Sequence, residues 1–300
     1  MGRFKARLTG DAQGSHWYRE IDNAPASALD LALMTLPAYD APPVVETVHS
    51  AQFSPIPEFN ETHAGWFWKK YLPAEWIKSA IEPRLEDQFE RFGDEKLWGP
   101  ELLFMIRPAT GGERTQLFHQ DGERMIQIQS TRFLYNWKKG DPSQSYPSYE
   151  KLLPEFRNAL GTFEQFAQEK GNKLIFNQWE VTYVNHIPKG ELWASPHDWP
   201  SIFPRFSTLA ADVKGQQPDG FRGEWSLSID ESVGRLHIDL KHARHTASNQ
   251  EILALQLTAR GAVTETMSLE AGLNKGHESI VRSFDAMISP DARKHWKKTR

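Results

Sequence analysis

The densest run of titratable side chains is His237-Ile238-Asp239-Leu240-Lys241-His242-Ala243-Arg244-His245. Read as a strand, it sets His237, Asp239 and Lys241 two apart on one face, with His242 and His245 on the other phase or in the turn that follows. Two imidazoles and a carboxylate are donors suited to zinc or iron. Here they do not share a face, no helical His-Glu-x-x-His can be written, and Lys241 and Arg244 repel a cation. The run therefore reads as a polar strand face leading into a basic turn, and neither a metal nor a cofactor is expected. Tyr183, Asn185 and His186 lie on a second expected strand. With His237 and Asp239 they form a candidate lining for a small ligand or a substrate, since a concave site needs only a few convergent polar groups.

Nucleophile motifs are missing. The chain has no cysteine, no Gly-x-Ser-x-Gly and no Gly-x-x-x-x-Gly-Lys-Ser/Thr loop, so thiol chemistry and the two commonest signatures of hydrolases and nucleotide binders fall away. Gly272 and Gly276 stand four apart near an expected helix and read as boundary glycines rather than an anion seat. The reading leans away from an enzyme. The C-terminus carries Arg293, Lys294, Lys297, Lys298 and Arg300 against one acid, Asp291, with His295 and Trp296 between them. Cations interleaved with an aromatic ring suit single-stranded nucleic acid. Eleven tryptophans are present; Trp193 and Trp199, beside Pro196 and Pro200, are candidate interface anchors, a role that tryptophan favours.

These residues need a scaffold, and the composition supplies one. Of 300 residues, 39 % are apolar and 25 % charged, with a formal net charge of −4. That suffices for a large core and argues against a protein devoted to coating DNA or anionic membrane. The opening Met1–Arg7 is basic, but Thr9, Asp11 and Gln13 follow where a signal would need an apolar stretch. The most apolar early segment, Leu29–Leu36, is far short of the roughly 20 residues needed to span a bilayer. The reading is a cytoplasmic protein with no membrane partner.

Residues 1–40 read as an appendage containing a short helix over Ser27–Met34. Two halves follow, 41–172 and 173–300. In the first, a strand from Val44 to Phe53 precedes a helix capped at Asn60 or Thr62 and closed by Pro73. A second helix is expected over Glu75–Phe92, with Trp76, Ile81, Leu85, Phe89 and Phe92 at helical spacing. Strands over Leu102–Arg107, Arg114–His119 and Met125–Trp137 come next, the last two joined through Asp121-Gly122, a strong hairpin signal. A long helix over Tyr149–Lys170 carries Leu153, Phe156, Leu160, Phe163 and Phe166 on one face. In the second half, a strand over Lys173–Ile187 is followed by a short helix over Asp198–Phe206. Strands over Glu224–Ile229, Arg235–His242 and Ile252–Ala259 and a helix over Asn274–Ile288 complete it. The expected fold is α+β: two related strand-helix-three-strand-helix halves, a mostly antiparallel sheet, and the long helices on one face. Polar alternation (Gln127, Gln129; His237, Asp239, Lys241) leaves the other face partly wet.

Pro42-Pro43-Val44-Val45-Glu46-Thr47-Val48 with Phe53-Ser54-Pro55 resembles the start of a sporadically distributed prokaryotic family of uncharacterised proteins. Val181-Thr182-Tyr183-Val184-Asn185-His186-Ile187 is similar to that family's Tyr-x-Asn-x-Ile strand. His277-Glu278-x-Ile280-x-x-x-Phe284 with Ile288 and Trp296 is similar to its closing helix. The resemblance spans about residues 42–297 and carries over no catalytic residues. It implies a defence-like or toxin–antitoxin-like setting. The leading expectation is an intracellular, non-enzymatic binding protein with a protein partner. The alternatives are a small-ligand binder or enzyme using the groove between sheet and helices, and a single-stranded nucleic-acid binder using the basic C-terminus.

Overall fold

The computed structural model describes residues 36–92, 108–141, 143–205, 219–246 and 248–300. The helix expected over Ser27–Met34 and the strand over Leu102–Arg107 lie outside them. In the first half, β1 (Val44–Phe53) leads into α1 (Glu61–Tyr71), where the Asn60 side chain accepts from the Thr62 and His63 amides. Capping of this kind satisfies donors that the first helical turn leaves without partners. β2 (Trp76–Leu85), β3 (Pro108–His119), β4 (Arg124–Gln129), β5 (Arg132–Lys138) and α2 (Tyr149–Glu169) follow. In the second half, β6 (Phe176–Pro188), a 3₁₀ turn over Pro196–Asp198 and α3 (Trp199–Ile202) precede β7 (Arg222–Ile229), β8 (Gly234–Arg244) and β9 (Glu251–Ala262). The chain closes with α4 (Leu269–Met287) and α5 (Pro290–His295).

Both halves share one sheet. Its nine strands run in the order β2-β3-β4-β5-β1-β6-β9-β8-β7, with antiparallel pairing throughout the described residues. The long strands β1 and β6 pair at its centre, Ala51 opposite Trp179 and His49 opposite Val181.

Two expectations are corrected. Residues 76–85 are an edge strand, not a helix. Pro83 removes a helical hydrogen bond and clashes with the preceding turn, whereas at an edge its missing N–H costs nothing. The run Met125–Trp137 is two strands, with Gln129 paired to Arg132 around Ser130-Thr131. No Gly, Asn or Asp marks this turn. It is held from outside, by Phe53 N–H on the Thr131 carbonyl at 2.9 Å and Ile56 N–H on the Ser130 carbonyl at 2.8 Å.

Along each strand alternation separates two sets of side chains. One set is apolar: Phe53, Phe133, Trp137, Trp179, Leu236, Ile238, Leu257 and Ala259 are buried. Phe163 of α2 stacks on Phe133 at 5.4 Å between ring centroids and lies 6.1 Å from Phe53. Gly272 and Gly276, inside α4 rather than at its boundary, lie directly against the Trp179 ring. A Cβ at position 272 would stand 2.2 Å from Trp179 Cδ1. Gly272→Ala is therefore expected to lower stability by about 3 kcal/mol through overpacking. Gly161→Ala in α2, where nothing lies within 4 Å of the added carbon, should raise it by up to about 1 kcal/mol. Urea denaturation of the two variants checks the contrast.

Candidate functional site

The second set of strand side chains is polar and, contrary to the expectation of a partly wet face, largely buried: Gln52, Gln127, Gln129, Arg132, Asn136, Gln178, Glu180, Thr182, His237, Thr258 and Arg260. These residues cover one another. Gln116 Nε2 donates to Gln127 Oε1 (3.1 Å), Gln127 Nε2 to Asn136 Oδ1 (2.7 Å), and Asn136 Nδ2 to Glu46 Oε1 (2.7 Å).

Across this face runs the extended segment Leu85–Phe92, and much of the contact is to its main chain. Gln129 accepts from Leu85 N–H and donates to the Leu85 carbonyl, both at 3.0 Å. Gln52 repeats the pattern at Gln88, accepting from its N–H at 2.9 Å and donating to its carbonyl at 3.1 Å. Arg132 Nη2 donates to the Glu86 carbonyl (3.3 Å) and Arg235 Nη2 to the Arg91 carbonyl (3.0 Å). A side-chain amide sets a donor NH2 group beside an acceptor oxygen, so each glutamine pairs with the segment as a neighbouring strand would. The contacts follow the sheet in order, from β4 and β5 through β1 to β8 and β9. Seven extended steps cover about 23 Å, matching the five inter-strand spacings crossed.

Two carboxylates anchor the segment. Thr131 Oγ1 donates to Asp87 Oδ1 (2.6 Å), and Arg84 Nη2 to Asp87 Oδ2 (2.6 Å). Glu90, with 5 % of its side chain exposed, receives Arg235 Nη1 at 2.5 Å, His237 Nε2 at 2.6 Å and Arg260 Nε at 2.9 Å. Burial alone would raise its carboxyl. The His237 hydrogen bond and the charges of Arg260 and Arg235 outweigh that and hold it at about 2. Burial pushes the His237 imidazole below its ordinary value, against the pull of Glu90. Glu180 lies alongside, 3.3 Å from Arg260 and 3.8 Å from Arg132. Around this point the guanidiniums of Arg132, Arg235 and Arg260 face the carboxylates of Glu90 and Glu180.

The five candidate lining residues divide between the faces. Tyr183 and Asn185 are on the apolar side: the Tyr183 hydroxyl lies 2.8 Å from His277 Nδ1, and Asn185 Nδ2 donates to the Leu255 carbonyl at 3.2 Å. His186, His237 and Asp239 alternate onto the polar side, with His186 against His245. They therefore do not line one groove. His242 packs edge-on against Trp193 and Trp199. Those two tryptophans, expected as interface anchors, are 2 % and 4 % exposed and belong to the core.

The basic C-terminus is likewise drawn into the fold. Trp296 is buried against Phe284, at 5.4 Å. Arg293 and Lys298 both pair with Asp285, at 3.2 and 2.7 Å. Main-chain bonds tie Lys297 and Thr299 to Asp40 and Ala38. Lys294, Lys297 and Arg300 are exposed. The ring that suited base stacking is thus inside the protein.

No family model matches the chain, and no curated protein matches it. Among the described residues no group of three or more His, Asp or Glu is arranged to hold a metal, and no helix is long and apolar enough to cross a membrane.

Glu90, Arg260, Arg235, Gln52 and Arg132 escaped sequence reasoning. Polar residues at period two in otherwise apolar strands, as in Gln127-x-Gln129 and Gln256-x-Thr258-x-Arg260, were the available signal.

Proposed function

We propose that this chain is a non-enzymatic, intracellular binding protein that acts through a protein partner. One observation carries the reading: a sheet face equipped with side-chain amides and cations that pair with the backbone and carboxylates of an extended chain segment. Extended peptides are recognised in this way, main-chain bonds supplying affinity and fixed pockets selecting side chains. The setting that fits the family resemblance is a defence-like or toxin-neutralising one.

The scaffold reading is that the two halves are related repeats with both long helices on one side. Each half begins with the strand at the sheet centre, passes through a helix, returns by a meander whose last strand lies beside the first, and ends in a long helix. His49 beneath α2 and Trp179 beneath α4 occupy same-face positions on the paired central strands.

Affinity purification of the tagged protein from its native host, with mass spectrometry of protein and nucleic acid, tests the function. One stoichiometric protein partner is expected. A chain that emerges alone, or with nucleic acid that salt removes, overturns the reading.

A further inference from the structure

We infer that the polar sheet face is a recognition groove for an extended acidic peptide, and that Leu85–Phe92 occupies it as an internal competitor. This rests on the binding-protein reading and adds to it a ligand class and a mode of regulation.

The contacts define the class. Four main-chain positions are read, Leu85, Glu86, Gln88 and Arg91, and these bonds are indifferent to side-chain identity. Two carboxylates are read, Asp87 and Glu90, while Leu85 packs in a buried cluster with Val48 and Leu134 and the Phe92 ring lies 5.0 Å from the Arg235 guanidinium. Phe89 and the side chains of Glu86 and Arg91 are exposed and unspecified. The signature is therefore carboxylate-x-x-carboxylate in an extended chain, the second carboxylate being the deep one.

Charge explains why the groove needs such an occupant. Without the segment, which carries Asp87 and Glu90, the guanidiniums of Arg132 and Arg260 keep Glu180, and Arg235 loses the carboxylate paired with it among the described residues. A buried cation without a counter-charge is costly, so the position selects an anion. The chain's own segment meets that demand at an effective concentration on the order of millimolar. An outside ligand must displace it, and weakening the internal carboxylate lowers that barrier.

The test uses the full chain and a fluorescein-labelled peptide, Leu-Glu-Asp-Gln-Phe-Glu-Arg-Phe, followed by anisotropy. Glu90→Gln, checked for folding by circular dichroism, is expected to bind it at least tenfold tighter than the unsubstituted protein. A peptide carrying glutamine at the second glutamate should lose at least tenfold. Equal binding by the two proteins, or by the two peptides, overturns the inference. Should Glu90→Gln not fold, hydrogen exchange on the unsubstituted protein decides. Millimolar peptide should speed exchange at the Gln88 amide, and an unchanged rate overturns the inference. If the native host yields a protein partner and the peptide fails, the groove assignment alone falls. An empty purification counts against the broader reading whatever the peptide does.

Discussion

Replacing Glu90 with alanine is expected to lower the unfolding free energy by about 3–5 kcal/mol. The carboxylate is buried and meets Arg235, His237 and Arg260 at 2.5–2.9 Å. Removing it takes the paired carboxylate from the half-buried Arg235 guanidinium and leaves buried Arg260 to share Glu180 with Arg132. For a chain of this size such a loss shifts the thermal midpoint by roughly 10 °C. The exposed pair Lys70–Glu169 is the control, because solvent and salt screen it and its removal should barely move the midpoint. Glutamine at position 90 keeps an acceptor and should cost less than alanine. A loss below about 1 kcal/mol for the alanine variant would show that the cluster is solvated and carries no structural weight.

Mild acid should weaken the protein steeply. His49 and His277 are buried on the apolar side of the sheet around Tyr149. His277 stacks on that ring at 3.9 Å between centroids, and His49 lies 5.4 Å from it. Burial pushes both imidazoles down to about 3. Their mutual repulsion lowers His49 further, against a small opposite pull from Glu155. A group whose folded pKa lies below its unfolded value stabilises the protein fully above the unfolded pKa, near 6.5, and loses that contribution as pH falls toward the folded one. Each histidine then costs about 1.4 kcal/mol per pH unit, so the pair removes about 5 kcal/mol between pH 6.5 and 4.5. His186 and His237, also lowered by burial, add in the same direction. Glu90, depressed from 4.5 to about 2, contributes mainly below pH 4.5, which separates the two effects. Urea midpoints measured from pH 7 to 4.5 should fall accordingly. His49→Leu should flatten the slope, since neither ring nitrogen of His49 has a hydrogen-bond partner to lose. A pH-independent midpoint, or an unchanged slope in His49→Leu, would refute the assignment.

Much of the framework is legible where a local rule matches the tertiary environment. The apolar stripe of Leu153, Phe156, Leu160 and Phe163 is buried along α2. Asp121-Gly122 turns between β3 and β4, with Asp121 Oδ1 accepting from Glu123 and Arg124. The mistaken helix over residues 75–92 has a definite cause. Trp76, Ile81, Leu85 and Phe89 are at helical spacing, yet Ile81 and Phe89 are exposed. The segment is settled by pairing with β3 and by the reach of Gln129 and Gln52, neither of which is local. That error also concealed Glu90, because a residue placed on a helix face cannot be expected to lie along a sheet.

By itself the sequence determined an α+β chain of alternating strands and amphipathic helices without a thiol nucleophile, because periodicity and composition act over a few residues. Only the tertiary structure decided that β1 and β6 join the halves in one sheet, that Trp193, Trp199 and Trp296 belong to the core, and that Glu90 meets Arg235 145 positions away. Those outcomes depend on which strand edges meet and which charges must find a counter-ion once buried. Such choices are made by long-range packing and desolvation, and no window of neighbouring residues contains them.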